Sequence, residues 1–80
     1  MFLNSSCLKE AMMEAEKRIN SSSSSCAYFI RGQDNSTLFK GVKQAISLGY
    51  LREFEYDSGG DCVVDKILEP GKKYLSSLNV

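Results

Sequence analysis

The stretch that decides the fold comprises residues 42–54, VKQAISLGYLREF, and residues 62–75, CVVDKILEPGKKYL. In the first of these, apolar residues recur at helical spacing up to Leu48, and apolar and charged residues then alternate from Leu51 onward. Gly49 stands between the two patterns, where the end of a helix often needs a residue that accepts left-handed backbone geometry. This stretch therefore predicts a helix, a sharp stop and a half-buried strand.

The predicted helix extends from Asn35 or Ser36, either of which can cap its first turn, to about Leu48. Its apolar residues form one stripe, which the spacing predicts to be buried: Leu38, Phe39, Val42, Ala45 and Ile46. The opposite face carries polar and basic residues, namely Ser36, Lys40, Lys43, Gln44 and Ser47.

A β-hairpin is predicted to follow this helix. Its first strand, Leu51–Tyr56, alternates so that Phe54 and Tyr56 share one face and two glutamates share the other. Glycines that accept positive φ predict a turn at Ser58–Gly60, and Cys62–Leu68 is predicted to return as the second strand. The last helix is expected at Gly71–Leu78, with Pro70 in its first turn.

The N-terminal half predicts one helix and one strand. Cys7–Asn20 carries a single apolar stripe of Leu8, Met12, Ile19 and two alanines, with Arg18 near the negative end of the helix dipole. Five serines then form a polar connector, and the apolar segment Cys26–Ile30 predicts a buried strand. The expected core consists of Leu8, Met12, Ile19, Leu38, Val42, Ile46, Phe54, Ile67 and Leu75.

From about Thr37 onward the chain resembles winged-helix domains. VKQAISLGYLREF is similar to their recognition helix and second strand, and ILEPGKKYL, residues 67–75, is similar to the way in which they close. The patterns along the chain predict that residues 1–80 form a single α+β domain in the order helix-strand-helix-strand-strand-helix, with a small antiparallel sheet. One element departs from the family, because only Arg31–Ser36 separates the first strand from the next helix, so the positioning helix is missing or reduced to a turn.

Composition narrows the possible functions. The 80 residues include ten basic and ten acidic residues, three cysteines and no histidine. Without histidine there is no Ser–His or Cys–His nucleophile pair, and no phosphate-binding glycine motif is present, so we expect neither an enzyme nor a cofactor. Widely spaced cysteines argue against disulfides and zinc, and Asp57, Asp61 and Asp65 lack the ligand spacing of a calcium loop. No apolar run approaches the ~18 residues of a membrane span, and we expect a soluble cytoplasmic protein.

The resemblance implies a DNA-binding protein, such as a transcriptional regulator, with the helix over residues 36–48 in the major groove. The residues expected to contact bases or phosphates are Ser36, Lys40, Lys43, Gln44, Ser47 and Arg52. Gln44 can make a bidentate contact to adenine, and Lys43 and Arg52 suit phosphates.

A protein-protein interaction module is the alternative. Residues 51–69 contain two basic and six acidic residues, a balance that suits a basic protein surface better than DNA. Such a domain could serve as an accessory or inhibitory factor, for example one encoded by a phage or mobile element. The two hypotheses differ in salt dependence, because binding through phosphates weakens steeply as salt rises.

Overall fold

The computed structural model describes residues 5–54 and 60–78. Six elements follow one another in these ranges: α1 (Ser5–Ser21), β1 (Ala27–Phe29), α2 (Ser36–Ser47), β2 (Leu51–Glu53), β3 (Cys62–Ile67) and α3 (Glu69–Ser77). The predicted α+β class and the predicted order of elements are confirmed. The predicted end of the first hairpin strand at Tyr56 and most of the predicted turn lie outside the described residues.

The three strands form one antiparallel sheet in the order β1-β3-β2, so the longest strand lies in the middle. Ala27 of β1 faces Val64, and Leu51 of β2 faces Ile67. The register between β2 and β3 shifts between Arg52 and Glu53, where Asp65 is left without a partner residue in β2. Because successive side chains of a strand point to opposite faces, Leu51 packs toward the helices and Arg52 points away from them.

The core lies between α1, α2 and the inner face of the sheet. Among the residues expected there, Leu8, Met12, Leu38, Val42 and Leu75 are buried, while Ile19, Ile46 and Ile67 are partly buried and pack against the core. Ala27, Phe29, Leu51, Cys62 and Val64 complete it from the sheet.

The prediction that Phe54 is buried is wrong, because its side chain is 51% exposed. Leu51 supplies the core residue of this strand instead and is 1% exposed. Three positions separate the two residues, and in an alternating strand an odd separation places them on opposite faces. Once Leu51 faces the helices, Phe54 must face outward.

Both predicted ends of α2 are confirmed in detail. The Asn35 side chain accepts a hydrogen bond from the Leu38 N–H at 2.8 Å, which caps the first turn. At the other end Gly49 has a φ of +80°, and its N–H donates to the Ile46 carbonyl at 3.1 Å. The Tyr50 N–H reaches back to the Ala45 carbonyl at 2.9 Å, which completes the Schellman pattern that stops the helix and starts β2.

A single turn leads from β1 to α2, in the segment Arg31–Ser36 that the sequence indicates is too short for a positioning helix. The N–H groups of Gln33 and Asp34 both donate to the Ile30 carbonyl at 3.0 Å, and α2 begins immediately afterwards. Gly32 adopts a φ of +92° within this turn.

Arg18 holds this turn against α1 and β1. Its guanidinium donates to the Asp34 carboxylate, to Glu14 and to the Tyr28 carbonyl, each at 2.8 Å, and lies 4.5 Å from the centre of the Phe29 ring. The Asp34 carboxylate also accepts a hydrogen bond from the Ile30 N–H at 2.8 Å. Arg18 thus fixes the loop that leads into α2, beyond the dipole interaction that its position in the sequence suggests.

This ion pair predicts how stability depends on pH. The hydrogen bond from Arg18 lowers the pKa of Asp34 below its ordinary value. The stabilisation is therefore present above the unfolded carboxylate pKa of about 4 and is lost as pH falls through the lower folded pKa. We expect Asp34→Asn to lose about 1–3 kcal/mol of stability at pH 7 and to lose less than the parent on further acidification.

Urea unfolding between neutral and acidic pH measures this effect. Glu53→Gln, which removes an exposed carboxylate without an ion pair in the described residues, serves as the control and should follow the parent. Parallel pH profiles for the parent and Asp34→Asn would contradict the assigned role.

Candidate functional site

The outward strip of α2 is the candidate site. Its residues are separated by four, three and four positions, which places them on one side of the helix, and all are exposed: Ser36, Lys40, Lys43 and Ser47. The opposite side holds the buried residues Leu38, Val42 and Ala45. α2 contains no aspartate or glutamate, so the strip presents two positive charges without an opposing charge on the same helix.

The other two residues singled out from the sequence lie elsewhere. Gln44 is on the flank of the strip and is half-buried. Arg52 is exposed on the outer face of the sheet, away from the helices, where its Nε and Nη2 donate to the Asp65 carboxylate at 2.9 and 3.0 Å. This pairing lowers the pKa of Asp65. The structure therefore brings together the α2 residues and leaves Arg52 engaged on a different surface.

Arg31 belongs to the same surface as α2, although the sequence singled it out only as part of a loop. Its backbone N–H donates to the Asp61 carboxylate at 2.9 Å, and its guanidinium lies so close to Gly60 that an added Cβ would come 2.9 Å from Nη1. A cleft of about 320 Å³ separates this loop from the start of α2 and is lined by Arg31, Gly32, Asp34, Ser36, Phe39 and Lys40. Arg31 and Lys40 thus face one cleft from opposite sides.

Three carboxylates, those of Asp34, Glu53 and Asp61, lie near this surface. Asp34, at the cleft, is bound by Arg18. Asp61 accepts the hydrogen bond from the Arg31 N–H beside the cleft. Asp61 and Glu53 also lie close enough to the buried Cys62 to add to the rise in its pKa that burial causes, and Lys43 lies close enough to oppose it. Lys43 therefore shares its surroundings with two carboxylates at the base of the hairpin.

The surroundings of the cysteine and acidic side chains bear on whether they could bind a metal ion. All three thiols are free, and Cys62 is buried while Cys7 and Cys26 are half-buried. In residues 5–54 and 60–78, no group of three or more cysteine, aspartate or glutamate side chains is arranged to hold a metal ion. None of the helices in these ranges is long and apolar enough to cross a membrane.

Comparison of the chain with models of protein families, with curated proteins and with solved structures found no match in any of the three.

Proposed function

We propose that this protein binds double-stranded DNA through α2, in the manner of a small winged-helix transcriptional regulator. The observation that supports this function best is the exposed strip of α2, which carries Lys40 and Lys43 on a helix free of carboxylates. Arg31 adds a third cation across the cleft at the start of the same helix.

The dimensions and position of α2 suit the major groove. Its 12 residues give a length of about 18 Å, and the groove, about 12 Å wide, admits one helix. Ser36 and Ser47 mark the two ends of the strip, so the whole exposed side could follow the groove. In the winged-helix domains that the chain resembles, the helix directly before the hairpin is the one that contacts bases.

The expected contacts divide between phosphates and bases. Lys40 and Arg31, beside the N-terminus of α2, suit a backbone phosphate, because the dipole of the helix also favours an anion there. Lys43, exposed on the same strip, suits a second phosphate contact. Gln44, on the flank of the strip, is the side chain of α2 able to bind adenine in a bidentate manner.

Salt dependence tests this proposal directly. Contact with three phosphates through Arg31, Lys40 and Lys43 predicts a slope of about −3 for the logarithm of the binding constant against the logarithm of the salt concentration. Fluorescence anisotropy with a labelled duplex of mixed sequence, measured between about 50 and 200 mM salt, determines that slope. The absence of binding at micromolar protein and the lowest salt would overturn the proposal.

A protein-interaction module is the second candidate, and the outer face of the sheet favours it. Tyr28 and Phe54 are 50% and 51% exposed, whereas Val63, which faces Tyr28 across the strands, is 1% exposed. The Phe54 N–H donates to the Val63 carbonyl at 2.7 Å, so the three residues form one row across the sheet. Exposed aromatic side chains are enriched at protein interfaces, and a partner at this row would leave α2 unused.

A further inference from the structure

The outward side of α1 carries an apolar residue between two opposite charges. Glu10, Met13 and Lys17 are separated by three and four positions, so they lie along one line on the helix, and all three are exposed. Met13 is 51% exposed, so an apolar side chain faces solvent between the two charges. Neither Glu10 nor Lys17 takes part in an ion pair within residues 5–54 and 60–78.

A groove of about 410 Å³ adjoins Met13 where α1 meets α3. Apolar side chains of Met13, Ile67, Leu75 and Leu78 line it, and Glu16 and Lys72 contribute opposite charges from the two helices. The apolar surface therefore continues from the outward line of α1 into this groove.

We propose that a second copy of this chain docks on this surface, with the two α1 helices antiparallel and crossing at Met13. A two-fold interface must be complementary to itself, so each residue on one side of the axis meets a different residue across it. In an antiparallel pair whose two-fold axis passes between residues 13 and 14, positions 10 and 17 lie at equal distances on either side of the axis. The second helix therefore presents Lys17 where the first presents Glu10. Each Glu10 then faces the Lys17 of the other copy, about 5 Å along the helix from the axis.

Charge complementarity selects a second copy over another kind of partner. The line on α1 is neutral and opposite in sign at its two ends, and the flanking Glu16 and Lys72 are also opposite in sign. A strongly basic or acidic partner would meet repulsion at one end, whereas the same surface turned around meets attraction at both. The two Met13 side chains would lose water together at the centre of the contact.

Sedimentation equilibrium of the full chain at low salt tests this dimer, because screening weakens exposed ion pairs at higher ionic strength. We expect reversible dimerisation of the parent protein. Glu10→Lys and Lys17→Glu should each weaken it roughly tenfold or more, because each change creates two like-charge contacts in a dimer. Met13→Gln should weaken it by a similar factor, whereas Leu48→Gln, which alters another exposed apolar residue directly after α2, should leave it unchanged.

Mixing the two charge variants provides the decisive measurement. A heterodimer of Glu10→Lys with Lys17→Glu joins opposite charges at both contacts, so an equimolar mixture should dimerise at least as well as the parent. Recovery in the mixture also shows that each single variant is folded. A parent that stays monomeric at the highest soluble concentration, or a mixture no better than its components, would overturn the proposal.

Discussion

Replacing both Lys40 and Lys43 with glutamate should abolish DNA binding and leave the free energy of unfolding almost unchanged. Both side chains are exposed on the outward strip of α2, and neither forms an ion pair in the part of the chain that the structure describes. The double change turns two positive charges into two negative ones against the phosphate backbone, which supplies most of the non-specific affinity. We expect the dissociation constant to rise by at least about 100-fold at low salt.

A matched control distinguishes the effect of charge on α2 from the effect of the net charge of the protein. Lys66→Glu with Lys73→Glu changes the net charge equally but alters exposed lysines on β3 and α3. This control should reduce affinity only slightly. If it weakens binding as much as the α2 variant, the effect arises from net charge and α2 is not the interface. If the α2 variant binds as well as the parent, the protein-interaction candidate replaces the proposed function.

Gly41→Ala should destabilise the protein, although alanine favours helices more than glycine by about 1 kcal/mol. Gly41 is buried where α2 crosses α1, and a Cβ there would overlap the Cys7 carbonyl oxygen and come 2.8 Å from the Ala11 Cβ. One of these contacts is with backbone, so the two helices must move apart. We expect a net loss of about 1–2 kcal/mol after the gain in helix propensity is subtracted, a substantial part of the roughly 5 kcal/mol available to so small a domain.

Ser47→Ala is the control for this change, because it introduces the same residue at an exposed position of the same helix. Urea denaturation should show a slightly higher midpoint for Ser47→Ala and a clearly lower midpoint for Gly41→Ala. A higher midpoint for both variants would mean that the helices adapt to the added methyl group and that the crossing is loosely packed.

Local chemistry explains why much of the fold could be predicted from the sequence. Asn35 caps α2 and Gly49 ends it, and both act through backbone groups within a few residues, so the sequence alone contains the necessary information. The buried stripe of α2 follows from helical spacing for the same reason. The place of Gly41 could not be predicted, because its importance depends on where another helix crosses.

Features that depend on distant residues could not be predicted in this way. Alternation in the strand after Gly49 indicates that the strand has two faces, but it does not indicate which face packs against the helices. The sequence pattern predicts Phe54 in the core, whereas Leu51 is the buried residue. The contact between Arg18 and Asp34 joins residues 16 positions apart. This contact depends on how α1 packs against the loop after β1, which the spacing of residues along the chain does not indicate.

In the candidate site, too, features set by local spacing could be predicted and features that depend on distant residues could not. Helical spacing alone grouped Ser36, Lys40, Lys43 and Ser47, because all four belong to one helix. Arg31 and Arg52 lie outside it, and their positions depend on the fold of the loop and the register of the sheet. One arginine therefore joined the site and the other did not, although the sequence favoured the opposite choice.

The order of the strands also bears on aggregation. An exposed edge strand can pair with another chain, and a long, apolar edge is the most dangerous kind. Here the longest strand, Cys62–Ile67, lies in the middle with a neighbour on each side, and the two edge strands have only three described residues each. β2 also places charged side chains at two of its three positions, Arg52 and Glu53. This strand is thus enclosed whenever the sheet is intact, and a change that loosens β1 or β2 would expose one of its edges to pairing with another chain.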